Sequence, residues 1–136
     1  MRDGNSGRRT QRQLAGDRAE GLVSERLAAM GWTVLGRNVH AGRSELDIVA
    51  VDPGPPARLV VVEVRCRATR GFGGAEGSFD WRKRAHLRRG IARLVECGRM
   101  PDGTAIPPLP VALDLAVVEP GVNGRAKARL YRDALA

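Results

Sequence analysis

Two acids, Asp47 in "SELDIVAVD" and Glu63 in "LVVVEVRCR", stand inside two of the most apolar stretches of the chain. Burying an unpaired charge is costly, so each needs a partner or a shifted pKa. Both stretches read as strands, and a hairpin pairing would set Asp47 and Glu63 side by side. Adjacent carboxylates repel, and each raises the pKa of the other. A divalent cation relieves that repulsion. Mg²⁺ takes oxygen ligands and keeps several waters, so one or two carboxylates suffice. Such a centre can activate water toward a phosphodiester and stabilise the charge that develops.

A second cluster carries the opposite sign. Arg82, Lys83, Arg84, Arg88, Arg89 and Arg93 fall within "RKRAHLRRGIARLVECG" (82–98), with no acid among residues 82–93. Self-repulsion along one helix costs stability unless an anion neutralises it. A nucleic-acid backbone fits, with contacts that weaken steeply in salt. Few aromatics interleave, so base stacking is not indicated, although Phe79 and Trp81 stand nearby as base contacts or core anchors. The formal charge of the 136 residues is +8, which also favours anionic partners, nucleic acid first.

The elements that must position these groups follow from periodicity. Residues 14–30 form an amphipathic helix with Ala19, Leu22, Val23, Leu27 and Met30 on one face, stopped at Gly31. Asp17 and Glu20 have the spacing of a capping box within it. "WTVLGRNV" (32–39) is a strand. In 44–52, Leu46, Ile48 and Ala50 lie on one face and Glu45, Asp47, Val49 and Val51 on the other. "PGPP" (53–56) breaks pairing before the strand that carries Glu63. That strand buries Val60, Val62 and Val64 on one face, with Glu63 and Arg65 opposite. A glycine-rich segment (69–81) lacks a phosphate-loop pattern. The basic helix buries Leu87, Ile91, Leu94 and Val95. A strand over 111–119 buries Val111, Leu113, Leu115 and Val117 and leaves Asp114 opposite, as a structural or surface residue. A final edge strand lies in "AKARLYRDAL". The order α-β-β-β-α-β-β predicts an α/β fold, a mixed central sheet flanked by helices. Residues 1–13 read as a disordered basic arm and 14–136 as one domain.

Several blocks in order, "GDRAEGLVSERLAAMGWTVLGRNVHAGRSELDIVAVD", "LVVVEVRCR", "WRKRAHLRRGIARLV" and "VALDLAVVE", resemble the bacterial YraN family over roughly residues 14–119. That family is placed among the PD-(D/E)XK, restriction-endonuclease-like folds. The resemblance implies that Asp47 and Glu63 ligate Mg²⁺ (or Mn²⁺), that Val64 offers its backbone carbonyl, and that Glu20 helps from the first helix. Glu45 would support the site from outside the ligand set. It implies nuclease activity on DNA, branched or structured substrates included. Many such nucleases pair to cut two strands, so a homodimer is one option that the sequence does not force.

One position departs from the pattern. The superfamily has Lys where this chain has Arg65, and Arg keeps the charge but cannot release a proton. Only Lys83 and Lys127 are lysine among the 23 basic residues, so an Arg-rich coding bias explains Arg65 as drift with activity lowered or lost. The other explanation is that Lys83, which matches the lysine opening the family's second helix, serves near the acids. The alternative function is a catalytically degenerate nucleic-acid-binding module. No run of eighteen apolar residues exists, and the basic N-terminus lacks the apolar stretch of a secretory signal, so neither membrane nor export is expected. Cys66 and Cys97 lack CxxC spacing and read as reduced cytoplasmic thiols. His40 and His86 are isolated and read as surface residues, with His86 near enough to its arginines to touch phosphate.

Overall fold

The computed structural model describes residues 10–67 and 80–134. The glycine-rich segment through Phe79 and the expected arm over 1–9 lie outside the described residues. The first helix, α1 (Gln11–Ala29), starts three residues before the expected Leu14. Thr10 explains the early start: its hydroxyl accepts from the Gln13 N–H (3.1 Å), and the Gln13 side chain accepts from the Thr10 N–H (2.9 Å). This capping box satisfies two amide donors that the first turn leaves free. Residues 10–13 are therefore not part of an arm. Glu20 lies in the middle of α1, so the capping role that its spacing with Asp17 suggested is excluded. Ala19, Val23 and Leu27 are buried as expected, but Met30 caps the C-terminus and is exposed.

Five strands follow the order β1-β2-β3-β4-β5 in one sheet: β1 (Thr33–Ala41), β2 (Ser44–Asp52), β3 (Arg58–Cys66), β4 (Val111–Glu119) and β5 (Lys127–Tyr131). All neighbours are antiparallel except β3 and β4, which run parallel and are joined through α2 (Trp81–Cys97). This mixed sheet with a helix on each face agrees with the restriction-endonuclease-like architecture. The central strand is covered on both sides. Val60 and Val62 pack with Ala19, Val23 and Leu27 of α1, while Leu59 and Val61 pack with Leu87, Ile91 and Leu94 of α2. The expectation that β3 has only one buried face is thus corrected: a strand between two helix layers reads as a continuous apolar run. In β4 every residue from Ala112 to Val118 is buried.

Asp114 is consequently fully buried and not at the surface. It accepts from the Asp133 N–H (2.9 Å) and pairs with the Arg132 guanidinium. Arg132 also bonds Asp52 (2.8 Å) and lies over the Trp32 ring at 5.0 Å. Burial still pushes the Asp114 carboxyl above the usual range.

The α2 helix is capped by Asp80, which accepts from the Arg82 and Lys83 N–H groups at 3.1 Å each. Leu87, Gly90, Ile91 and Leu94 face the sheet, while Val95 is exposed, one position off the expected stripe. Gly90 is required by close approach: a Cβ there would stand 2.6 Å from the Ser44 Cβ of β2. Gly to Ala in an exposed helix interior gains about 1 kcal/mol. Here Gly90→Ala is expected to lower stability by about 1–3 kcal/mol through overpacking. Urea denaturation measures the sign.

Candidate active site

The sheet divides at one point. β2 and β3 pair from Asp52↔Arg58 to Ile48↔Val62 and no further. Beyond Val62, β3 stays with β4 as far as Cys66↔Val118, and β2 stays with β1 as far as Ser44↔Ala41. The next step of the broken register would set Asp47 opposite Glu63. The side chains meet there: their carboxyls share a hydrogen bond. Asp47 Oδ2 also accepts from the Val64 N–H at 2.8 Å, which satisfies a backbone donor that the ladder has abandoned. A strand residue's N–H and C=O point to the same side, so the Val64 carbonyl faces this gap too.

The alternation expected of β2 fails at the same place. Leu46 packs with the core under α2, whereas Ile48 and Ala50 join the core under α1. Two residues of equal parity therefore face opposite sides, and Asp47 lies between them, where the hairpin arm twists away from β3.

Burial, the shared hydrogen bond and the Glu63 charge push the Asp47 carboxyl up to about 7; the Val64 N–H and the Lys83 charge oppose that rise. Glu63 is buried, and one oxygen, Oε2, faces two cations: Arg65 Nη2 at 3.2 Å and Lys83 Nζ at 3.3 Å. Arg65 reaches it from two residues along β3. Lys83 reaches it from the first turn of α2, which the Asp80 cap fixes. The structure thus brings together Asp47, Glu63, Val64, Arg65 and Lys83.

Glu20 lies at the margin of this group. Its carboxyl is raised first by burial and then by the charge of Asp47, while Arg37 at 3.7 Å and a hydrogen bond from Asn38 hold it down. Its Oε1 is buried without a hydrogen-bond donor among the described residues. Glu45 is half-exposed, pairs with His40 at 3.5 Å, and is felt at Glu20 only as a more distant charge. Arg82, Arg84, Arg88 and Arg89 are exposed on α2; from this helix it is Lys83 that pairs with Glu63. Trp81 is 70% exposed under the Arg82 guanidinium (5.4 Å), so it is not a core anchor. His86 is at the surface only in part: it is half-buried, with Nε2 3.1 Å from Ser44 Oγ, and Ser44 donates to the His86 carbonyl (3.2 Å). Arg37 and Asn38 were missed by sequence reasoning. Asn38 has φ 51, and Asn's tolerance of that region is the only trace it leaves in the sequence.

Among the described residues no three His, Cys, Asp or Glu side chains gather as a metal-ligating group. The donor set is two carboxylates and a backbone carbonyl, all hard oxygen, which suits Mg²⁺ or Mn²⁺ with water in the remaining positions. The raised Asp47 and Glu20 carboxyls are both relieved by added positive charge. The residues therefore fit a single hard cation, provided that Arg65 yields its hold on Glu63.

The Asp47 shift has a sign that stability can report. Its folded carboxyl binds a proton that the unfolded chain has released, so metal-free stability falls as pH rises from about 4 to about 7. Thermal melts in chelator are expected to show that fall, and Asp47→Asn is expected to flatten it and raise the melting temperature at pH 7. A steeper fall in the variant would contradict the coupling of the pair.

The site lies within a region with recognisable relatives. The profile of the Uncharacterised protein family UPF0102 matches residues 19–118. A UPF0102 protein of Symbiobacterium thermophilum is 34% identical over 119 residues, covering 88% of this chain and 93% of its own. One from Sorangium cellulosum is 43% identical over 83 residues, 61% of this chain and 56% of that protein. One from Bordetella petrii is 39% identical over 110 residues, 80% of this chain and 65% of that protein. The YraN resemblance read from the sequence corresponds to this same family. The chain, from the first helix through the acid-bearing strands to β4, belongs to the uncharacterised protein family UPF0102.

Proposed function

We propose that the chain is a Mg²⁺- or Mn²⁺-dependent, nuclease-like protein of the PD-(D/E)XK kind that acts on DNA, including branched or structured DNA. One observation carries this reading: half-buried Asp47 and buried Glu63 meet where β2 leaves β3, with Lys83 Nζ 3.3 Å from Glu63 Oε2. Asp47, Glu63 and the Val64 carbonyl would hold the cation. When bound, it supplies positive charge to the phosphate and lowers the pKa of nearby water. The chain's own groups do the rest. Lys83 is the cation at this pair that can release a proton, which Arg65 cannot. It is placed to orient water and to share negative charge with Glu63. Arg65 balances the charge of Glu63, and the exposed arginines of α2 hold the backbone of the substrate. Cys66 and Cys97 are free thiols, which suits a reducing compartment such as the cytoplasm.

Arg65 also favours a second reading. Its 3.2 Å pair with Glu63 Oε2 already neutralises the carboxylate that would face a cation. A chain in which that pair never opens would be a catalytically degenerate nucleic-acid-binding module of the same fold.

The readings separate in two assays. Linear, branched and single-stranded DNAs are incubated with Mg²⁺ or Mn²⁺. The nuclease reading expects cleavage that Glu63→Ala and Lys83→Ala reduce by about 10²-fold or more, and that Arg65→Lys raises. Cleavage that survives Glu63→Ala at the parent rate contradicts the mechanism. Calorimetric titration of Mn²⁺ then decides between active and degenerate: uptake at one site supports the first, and absence of heat together with salt-sensitive DNA binding supports the second.

A further inference from the structure

The tip of the β1–β2 hairpin, Ala41–Ser44, packs against α2: Ser44 bonds His86 and lies against Gly90, and Gly42 lies against Arg93. Between them lies an open trough of about 800 Å³. Its charged walls are Arg43 from the hairpin turn and Arg89 and Arg93 from α2, and no acid lines it. Two of the walls are glycine, Gly42 and Gly90, so the backbones stand close and the floor is shallow. The Arg93 side chain runs against the turn: a Cβ on Gly42 would lie 2.5 Å from its Cδ and 2.7 Å from its Nε. Its guanidinium is therefore steered into the trough. Arg43, Arg89 and Arg93 are exposed, and none has a carboxylate partner among the described residues. His86 is committed to Ser44: that hydroxyl has one proton, and it serves the His86 carbonyl, so the ring's Nε2 is the donor to Oγ.

Two rulers place this trough relative to the acids. Asp47 is four residues from Arg43 along the hairpin arm, about 13 Å at strand rise. Lys83 is ten residues from Arg93 along α2, about 15 Å at helix rise. A nucleic-acid strand in a duplex rises about 3.4 Å per nucleotide. Both rulers therefore correspond to about four nucleotides.

We infer that the trough is a backbone-phosphate subsite that holds the flank of a nucleic acid about four nucleotides from the Asp47–Glu63 pair. The inference rests on the nucleic-acid part of the proposed function and is independent of cleavage. Guanidinium groups bind phosphate through paired N–H donors, and three of them around one shallow trough match a run of phosphates better than one carboxylate. The wall between them offers only small apolar side chains, Ala41 and Ala92, too little to enter a membrane surface. Readout here is of backbone and not of sequence.

The test is fluorescence anisotropy of a short labelled duplex in chelator across a salt series. The slope of log K against log salt falls by about 0.9 for each phosphate that the protein no longer neutralises. The triple variant Arg43→Ala, Arg89→Ala, Arg93→Ala is expected to reduce the slope by about 2–3, and the corresponding triple Lys variant to keep most of it. If the Ala triple melts early, the three single variants carry the test, each lowering the slope by about 0.9. Parent binding with an unchanged slope in these variants overturns the trough and leaves the nucleic-acid reading standing. Absence of salt-dependent parent binding overturns both, and so does equal binding of an acidic polypeptide.

Discussion

Two carboxyls, one buried and one half-buried, that share a hydrogen bond where the sheet divides constrain the groups around them. Burial and the neighbouring acid raise the Asp47 carboxyl, and the chain supplies help to the pair from three directions. A backbone N–H comes from Val64, a guanidinium from the same strand, and an ammonium from the start of α2. Each source depends on the fold. The Val64 amide is available because β2 has left β3. Lys83 arrives because Asp80 fixes the first turn of α2, and α2 is held to the sheet by Leu87, Ile91 and Leu94. Gly90 lets that helix press on Ser44, which carries the hairpin arm over it. Packing far from the acids thus sets the position of the one lysine beside them.

The division of the sheet is what makes a site out of a strand pair. Had β2 and β3 continued together, backbone hydrogen bonds would have filled the gap and Asp47 would have packed against its neighbours. The twist between Leu46 and Ile48 turns the outer hairpin toward α2 and leaves acids on the inner side and arginines at the tip. Acidic pair and basic trough are two consequences of the same bend.

Much of this was legible in the sequence, and the reasons for the rest are physical. Alternation and turn residues located the strands, and the acid positions on them placed Asp47 beside Glu63. The lysine of α2 was visible as an exception in an arginine-rich chain. Burial on both faces of β3 was not, because a single strand does not reveal how many layers cover it. The face switch in β2 was hidden for a related reason: Leu46, Ile48 and Ala50 read as one stripe until the pairing with β3 is known to stop at Ile48. Asp114 read as outward-facing because its partner, Arg132, lies eighteen residues away beyond a turn. The early start of α1 depended on Thr10 and Gln13, polar residues that mimic a loop until their reciprocal hydrogen bonds are seen.

The account stands on Asp47 and Glu63 converging on one cation and Arg65 releasing its oxygen. A crystal soaked in Mn²⁺ and measured for anomalous scattering tests this directly. The account predicts one peak about 2.1 Å from carboxylate oxygens of both residues, with Arg65 turned away from Glu63. A map without a peak between them, and with Arg65 still paired to Glu63 Oε2, would contradict it.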